Sequence, residues 1–189
     1  MPEQFCKKIN NTTIILLQGD ITREETDAIV NAANSSLMGG GGVDGAIHRA
    51  AGPTVLEECR QIKTMEGPCA PGNAVITSGG NLKAKYIIHT VGPIWRDGTT
   101  NESQTLRNAY QNSLQLAVDN ELTTIAFPSI STGAYGYPLA EASEVAISAV
   151  QQFLTNLDEN AGLEQVRFVL FDSFALAAYK ATLSELEPN

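Results

Sequence analysis

The feature that most constrains the fold of this chain is a series of short, continuous apolar runs that alternate with longer amphipathic segments. Residues 14–17 and 168–171 are entirely apolar, and such runs are typical of strands that are covered on both faces. Other segments carry apolar residues at helical spacing, as in the stripe Leu106, Ala109, Tyr110, Leu114, Ala117 and Val118. Because strand-like and helix-like segments mostly alternate, the pattern predicts an α/β fold with helices on both faces of a largely parallel sheet.

The same patterns assign individual elements. Six strands are predicted, at about 13–18, 27–32, 74–77, 86–91, 124–129 and 165–171. Five helices are predicted, at about 45–51, 53–62, 102–120, 139–154 and 174–186. Asn101 and Gln104 offer an N-cap and its capping-box partner for the third helix. Residues 1–11 are predicted to be an N-terminal tail, and residues 1–189 to form one domain.

Charge and composition exclude several classes of protein. Twelve basic and 21 acidic residues give a net charge of −9, whereas a nonspecific nucleic-acid binder needs a basic face. No apolar run approaches the roughly 20 residues that span a bilayer, and no signal-like stretch follows Lys7 and Lys8. Three cysteines without a close pairing therefore predict free thiols in a reducing cytoplasm.

Two glycine-rich loops each follow an apolar strand and lead into a helix. The first contains four consecutive glycines at 39–42, and the second, 128–138, combines glycines with Ser131 and Thr132. Glycine lets backbone amides approach a ligand closely, and a helix N-terminus attracts anions. Neither loop contains Lys or Arg, so we expect a phosphate held by amides and hydroxyls. The alternative is that these glycines only make tight turns.

Standard nucleotide motifs fit poorly. Residues 40–45 match G-x-G-x-x-G, but they follow the second predicted strand, and no acidic residue ends a strand about 20 residues later. The chain contains neither a P-loop motif nor a G-x-S-x-G motif. A hydride-transfer enzyme, a P-loop enzyme and a nucleophile-elbow hydrolase are therefore disfavoured.

A few polar residues in or near these loops are candidates for chemistry. Asp44 is the only acidic residue in either loop, and it is either a base or water-orienting group or a helix cap. The amide of Asn34 suits sugar hydroxyls or an Asx turn, and Tyr135 suits a ligand ring or loop packing. His48 and His89 are expected to be packed and hydrogen-bonded. No metal site is predicted, because no cysteine or acidic residue stands at ligand spacing from them.

These motifs resemble the macrodomain family, and within it the MacroD-type ADP-ribosyl hydrolases, which include bacterial O-acetyl-ADP-ribose deacetylases. The segments that carry the resemblance are 19–22, 27–34, 39–48, 87–93 and 129–138. The likeness extends over about 13–186. It implies a three-layer α/β/α sandwich whose central mixed, largely parallel sheet has about six strands, with ADP-ribose in a cleft across its top.

The resemblance also implies roles for individual residues. Asp20 would accept a hydrogen bond from the adenine amine beside the backbone of Ile21, and Phe171 or Asp172 would flank the adenine. The residues that would hold the diphosphate are Gly41, Gly42, Val43, Ser131, Thr132, Gly133, Ala134, Tyr135 and Gly136.

At the other end of the ligand, the resemblance implies the catalytic groups. Asn34 would bind the distal ribose, Tyr135 would pack against that ribose, and Asp44 would orient or activate the attacking water. The sequence leaves open whether water attacks the anomeric carbon or the ester carbonyl, and whether Asp44 removes a proton.

The implied activity is hydrolysis, without a metal or cofactor, of esters between the distal ribose and acetate or an Asp or Glu side chain. The implied ligands are ADP-ribose, O-acetyl-ADP-ribose and mono-ADP-ribosylated proteins, bound by a cytoplasmic monomer without a membrane. Two alternatives remain: a non-catalytic reader, which would not need Asp44, and an RNA-associated regulator, which the net charge of −9 disfavours. One bacterial branch of the family has a zinc site, for which this chain has no evident ligands.

Overall fold

The computed structural model describes residues 5–186, which form seven strands and five α-helices. The strands are β1 (Phe5–Ile9), β2 (Thr12–Gln18), β3 (Ala28–Ala33), β4 (Ala74–Ser78), β5 (Tyr86–Val91), β6 (Thr124–Phe127) and β7 (Gln165–Leu170). The helices are α1 (Gly42–Ala51), α2 (Pro53–Glu66), α3 (Glu102–Asp119), α4 (Leu139–Thr155) and α5 (Ser173–Glu185). A short 3₁₀ turn, Ile21–Arg23, follows β2.

All seven strands form one sheet in the order β1-β2-β7-β6-β3-β5-β4. The five inner strands are mutually parallel, whereas β1 and β4 pair antiparallel at the two edges. The inner strands carry the continuous apolar runs because both of their faces are covered.

Helices cover the two faces in separate layers, which confirms the predicted three-layer α/β/α sandwich. Ile14 and Leu16 of β2 join the core formed with α3, α4 and α5, and Ile15 and Leu17 join the core formed with α1 and α2. Alternate residues of one apolar strand therefore pack into two different cores, because successive side chains of a strand point to opposite faces of the sheet.

The structure corrects the predicted N-terminal tail. Residues 5–9 form β1, in which Ile9 is buried against the sheet, and residues 1–4 lie outside the described part. Lys7 and Lys8 interrupt the apolar pattern of this strand, so the pattern did not predict it, although lysine is common on edge strands. The sheet therefore has seven strands rather than the predicted six.

The start of α1 and the cap of α3 also differ from the prediction. Helix α1 begins at Gly42, three residues before the predicted start, with Gly41 as an N-cap that offers no side chain. Asn101 adopts a left-handed conformation with φ of 67° and makes no side-chain cap at the start of α3, so the predicted capping box is wrong. No helix within residues 5–186 is long and apolar enough to cross a bilayer. Cys6, Cys59 and Cys69 are free thiols.

Candidate functional site

The candidate site residues come together at the edge of the sheet where its parallel strands end. Strands β2, β7, β6 and β3 lie side by side in that order, and each is followed by one of the predicted ligand segments. Neighbouring strands lie about 4.8 Å apart, so the outer two of these four are roughly 14 Å apart. The candidate residues are therefore arranged in a line along the carboxyl ends of the strands, which is the position of the ligand cleft in α/β folds.

Asp20 lies at the β2 end of this cleft and caps the 3₁₀ turn. Its Oδ1 accepts hydrogen bonds from the Thr22 amide at 3.0 Å and the Thr22 hydroxyl at 2.7 Å. The bond from the Thr22 hydroxyl is the main cause of a lowered pKa for the Asp20 carboxyl. Because Ile21 is buried beside it, Asp20 presents an ionised carboxylate at a fixed place.

Phe171 and Asp172 follow β7 next to Asp20. Phe171 is 86% exposed, so its ring is accessible to a ligand. The carboxylate of Asp172 caps α5 by accepting a hydrogen bond from the Ala175 amide at 2.8 Å. Of the two predicted adenine neighbours, Phe171 therefore has an exposed side chain that a ligand can contact, whereas Asp172 caps a helix.

The loop after β6 turns sharply. Ser131 has a φ of 66° and a buried hydroxyl that has no hydrogen-bond partner within residues 5–186, and a Cβ on Gly92 would collide with that hydroxyl. The Gly136 amide donates to the Gly133 carbonyl at 3.0 Å, so it closes the turn. The tip of the loop, including Gly133 and Ala134, is exposed and can approach a ligand.

The N-terminus of α1 lies on the neighbouring loop, which follows β3. Gly41 and Gly42 are exposed, and a Cβ on either would meet no atom within 4 Å. No side chain within residues 5–186 caps this helix, so the first-turn amides of Gly42 and Val43 have no capping acceptor there. Such unpaired donors, together with the helix dipole, attract an anion.

Asp44 lies in the first turn of α1 and is only 5% exposed. Its Oδ1 accepts a hydrogen bond from Asn31 Nδ2 at 2.8 Å and lies 3.4 Å from His48 Nε2. Because Gly41 is the N-cap, the alternative in which Asp44 caps the helix is wrong. The side chain is instead a buried carboxylate that is held by its neighbours at the glycine loop.

Asn34 belongs to the same end of the cleft and makes an Asx turn. Its Oδ1 accepts from the Ser36 amide at 3.1 Å, and its Nδ2 donates to the Gly39 carbonyl at 3.0 Å. A Cβ built on Gly40 would be 3.4 Å from Asn34 Nδ2 and 3.0 Å from Asp44 Oδ2. The amide and the carboxylate therefore flank the same glycine, which leaves room for a ligand atom or a water between them.

The structure also reveals a polar cluster behind Asp44 that the sequence patterns did not connect. It consists of Asn31 on β3, His48 on α1, Cys59 on α2 and His89 on β5, with Thr77 on β4. A polar residue inside an otherwise apolar strand, as at Asn31 and His89, was the available signal, because a buried polar group needs a partner.

Three members of this cluster, His48, Cys59 and His89, place potential metal ligands within 4.8 Å of one another. Both nitrogens of His89 already have hydrogen-bond partners, Asn31 and Thr77. Burial also raises the pKa of the Cys59 thiol to about 11. These groups therefore fit a hydrogen-bonded cluster better than a resident metal ion, which requires a thiolate and free nitrogens.

Comparison with known proteins identifies the family. The model of the Macro domain matches residues 30–146, a range that contains the glycine loop, Asp44 and the loop after β6. The chain belongs to the macrodomain family.

Several curated relatives of this macrodomain are named O-acetyl-ADP-ribose deacetylase. The protein from Citrobacter rodentium is 54% identical over 175 residues, which cover 93% of this chain and 97% of the relative. The protein from Escherichia coli K12 is 53% identical over 174 residues, which cover 92% and 97%.

Solved macrodomains share the architecture. One from Oceanobacillus iheyensis, described with ADP, is 43% identical with a TM-score of 0.91, and the match covers 97% of this chain and 96% of that one. One from Trypanosoma brucei, described in complex with ADP-ribose, is 40% identical with a TM-score of 0.80, over 90% and 68% of the two chains.

In this macrodomain a further buried carboxylate supports the loop that carries Tyr135. The Trp95 amide donates to the Tyr135 carbonyl at 2.8 Å, and the segment just after Trp95 wraps around Glu102. The Glu102 carboxylate, which is 2% exposed, accepts hydrogen bonds from the amides of Arg96, Asp97, Gly98 and Thr100. This arrangement replaces the capping box expected at Asn101 and Gln104.

We expect the stability of this macrodomain to depend on ionised Glu102 at acidic pH. Removal from water raises the pKa of Glu102, but hydrogen bonds from its own amide, Arg96 and Thr100 outweigh this and lower the pKa to about 2. Because the pKa in the folded state is lower than the usual value of about 4.3, the stabilisation is present above that value. It is lost as the pH falls towards 2. As the pH falls across this range, the melting temperature should decrease less for Glu102→Gln than for the wild type. An equal decrease in both proteins would contradict the role of Glu102.

Proposed function

We propose that this macrodomain is an ADP-ribosyl ester hydrolase that deacetylates O-acetyl-ADP-ribose and removes mono-ADP-ribose from Asp and Glu side chains of proteins. The names of its relatives support the first substrate, and the ligands of the related structures support ADP-ribose as the bound group. The observation that carries the proposal is the buried carboxylate of Asp44 beside the exposed glycine loop.

The order of the strands supports one orientation of the ligand. Adenine would lie at β2 and β7, with its amine on Asp20 and its ring against exposed Phe171. The diphosphate would lie between the exposed loop tip after β6 and the free amides of Gly42 and Val43. This orientation places the distal ribose next to the loop that carries Asn34 and Asp44.

Asp44 would act on a water at that end of the cleft. Both contacts of its carboxylate involve Oδ1, so Oδ2, beside Gly40, is the oxygen suited to hold the water. The water oxygen bonds to the carbon under attack, the ester bond breaks, and ADP-ribose and the carboxylic acid are released. One proton of the water passes to Asp44 or to a phosphate oxygen of the ligand and from there to the oxygen of the broken ester bond, while the other proton stays on the attacking oxygen.

Remote binding would supply the positioning that this reaction needs. Adenine and diphosphate contacts far from the ester hold the distal ribose in place, so that binding energy is used to orient the reacting groups. Asn34 would contact the ribose through its amide, and Tyr135, which is half-buried in the neighbouring loop, would pack against the ring. The three free thiols favour a cytoplasmic location for this activity.

A direct assay tests the proposal. The protein is incubated separately with O-acetyl-ADP-ribose and with a protein ADP-ribosylated on glutamate, and the release of acetate or of free ADP-ribose is followed. We expect turnover of the acetyl ester and release from the glutamate ester. Tight ADP-ribose binding without release from either substrate would instead support a non-catalytic reader.

We expect ADP-ribose binding to depend weakly on salt for a diphosphate ligand. Neither ligand loop contains Lys or Arg, so few counterions are displaced on binding, and amide dipoles in a cleft are screened less than surface charges. Calorimetry between about 50 mM and 500 mM salt should show a change in Kd of less than about 10-fold. A loss of several hundred-fold would mean that a basic residue from outside the loops, such as exposed Arg49, holds the diphosphate.

A further inference from the structure

Asn31 and His89 are direct neighbours across two parallel strands in the middle of the sheet. They are register partners in β3 and β5, and both side chains are completely buried. Asn31 Nδ2 lies 3.1 Å from His89 Nδ1 and 2.8 Å from Asp44 Oδ1. One amide group therefore connects a buried histidine to the carboxylate of the candidate active site.

The partners in this series of hydrogen bonds determine which atoms donate and which accept. The atom of Asn31 that faces the carboxylate of Asp44 must be the amide nitrogen, because the amide oxygen would repel it. The same nitrogen faces His89 Nδ1, which must therefore accept. His89 Nε2 then carries the hydrogen and donates to Thr77 Oγ1 at 2.9 Å, and the Thr77 hydroxyl donates to the Ser78 carbonyl at 3.0 Å.

His89 is suited to accept because it is neutral. Burial is the main cause that lowers the pKa of His89 to about 3, and the nearby His48 lowers it further. Its Nδ1 therefore keeps a lone pair at neutral pH.

Only the two donated hydrogen bonds fix the orientation of the Asn31 amide. Its oxygen, Oδ1, is buried and has no partner among the described residues. Without the acceptor on His89, the amide could rotate and turn this oxygen towards Asp44. Asp44 would then lose a donor and face a repulsive dipole, so its carboxylate would shift.

We propose that His89 is a positioning residue for hydrolysis, which holds the Asn31 amide so that it donates to Asp44. His89 acts through Asn31 and touches no substrate. This inference rests on the proposed function, because it assumes that Asp44 assists the attacking water. It predicts that loss of the Nδ1 acceptor lowers kcat while ADP-ribose binding, which uses other residues, is preserved.

The test compares two substitutions of His89. His89→Leu removes the acceptor, whereas His89→Asn places an amide oxygen near the position of Nδ1 but leaves a cavity. With O-acetyl-ADP-ribose, His89→Leu should lower kcat by about 10- to 100-fold, since small misplacements of a catalytic group have effects of this size. KM and the Kd of ADP-ribose should change by less than about 3-fold. His89→Asn should keep most of the kcat although it melts at a lower temperature than the wild type.

A matched control separates positioning from stability. Ile88 precedes His89 on β5, is buried on the opposite face of the sheet and belongs to the other core. Ile88→Ala should lower the melting temperature but not kcat. If His89→Leu does not fold, Thr77→Val, which removes the partner of His89 Nε2, should still lower kcat by about 3- to 10-fold.

The outcomes distinguish this inference from the proposed function. If Asp44→Ala abolishes turnover while folded His89→Leu turns over like Ile88→Ala, only the positioning role is overturned. An equal loss in His89→Leu and His89→Asn also overturns it. If Asp44→Ala keeps its turnover, the catalytic role of Asp44 is overturned, and the positioning role of His89, which depends on it, is overturned as well. The double variant Asp44→Ala, His89→Leu should lose no more turnover than Asp44→Ala alone.

Discussion

Replacing Asp44 with alanine should lower the turnover of O-acetyl-ADP-ribose by about 10²- to 10⁴-fold, because a positioned acid–base group commonly contributes this much. Its carboxylate is the only acidic group in either ligand loop, and it lies beside Gly40, where we propose that the distal ribose binds. ADP-ribose binding should persist, since the amides of the two loops and Asn34 remain. Binding could tighten, because a negative charge near the diphosphate is removed.

Stability should also decrease in this variant, for a reason unrelated to helix capping. Asn31 Nδ2 and His48 Nε2 would lose the carboxylate that they face, and an unpaired buried donor costs about 1–3 kcal/mol. Turnover, the calorimetric Kd of ADP-ribose and the melting temperature should therefore be measured on one preparation. Asp44→Asn provides the control, because an amide can orient a water but cannot take its proton.

The pair of variants separates the mechanisms that the sequence left open. Substantial turnover in Asp44→Asn but not in Asp44→Ala would identify Asp44 as a group that orients the water. Loss in both variants would favour proton removal by the carboxylate. Near-normal turnover in folded Asp44→Ala would overturn the catalytic role and leave a reader of ADP-ribosylated proteins as the better function.

Replacing Asp20 with alanine should weaken ADP-ribose binding by about 10- to 100-fold. A hydrogen bond to a charged group contributes about 1.5–3 kcal/mol, and each 1.4 kcal/mol corresponds to about tenfold in affinity. The lowered pKa of Asp20 keeps it ionised at neutral pH. Turnover at saturating O-acetyl-ADP-ribose should change little, because Asp20 lies at the end of the cleft far from Asp44.

Asp20 also caps the 3₁₀ turn, so its effect on binding needs a control. Thr22→Val removes the hydroxyl that donates to Asp20 but leaves the carboxylate in place for adenine. This variant should lower the melting temperature slightly and leave the Kd of ADP-ribose within about 3-fold of the wild type. If Thr22→Val weakens binding as much as Asp20→Ala, the shape of the turn explains the loss. Unchanged affinity in folded Asp20→Ala would exclude the adenine contact.

Much of the architecture could be predicted because its elements carry strong local patterns. Strand β5 matches its prediction at both ends, since most of its residues are the aromatic and β-branched types that favour strands. Strand β1 was not predicted because its two lysines interrupt the apolar pattern. Its pairing with β2 becomes evident only in the folded sheet. Local patterns therefore reveal a strand less readily when charged residues interrupt it.

The part of the site that could be predicted is the part formed by contiguous loops. Asp44 and Asn34 stand out because they lie within or beside a run of glycines. The contact between Asn31 and His89 joins residues 58 positions apart and depends on β3 lying next to β5. The four amides around Glu102 likewise come from a loop without a sequence signature. Strand order and loop shape follow from the whole core, which no short segment specifies.

The order of the strands sets a fixed distance between the two ends of the candidate site. The separation between the proposed adenine end at β2 and the proposed hydrolytic end at β3 is a fixed number of strand spacings, so it does not change when a loop becomes longer or shorter. In the proposed function, the residues that recognise the base and those that cleave the ester therefore follow separate strands of one sheet. Either end can acquire new specificity by substitutions in its own loop, while the distance that the diphosphate bridges stays constant.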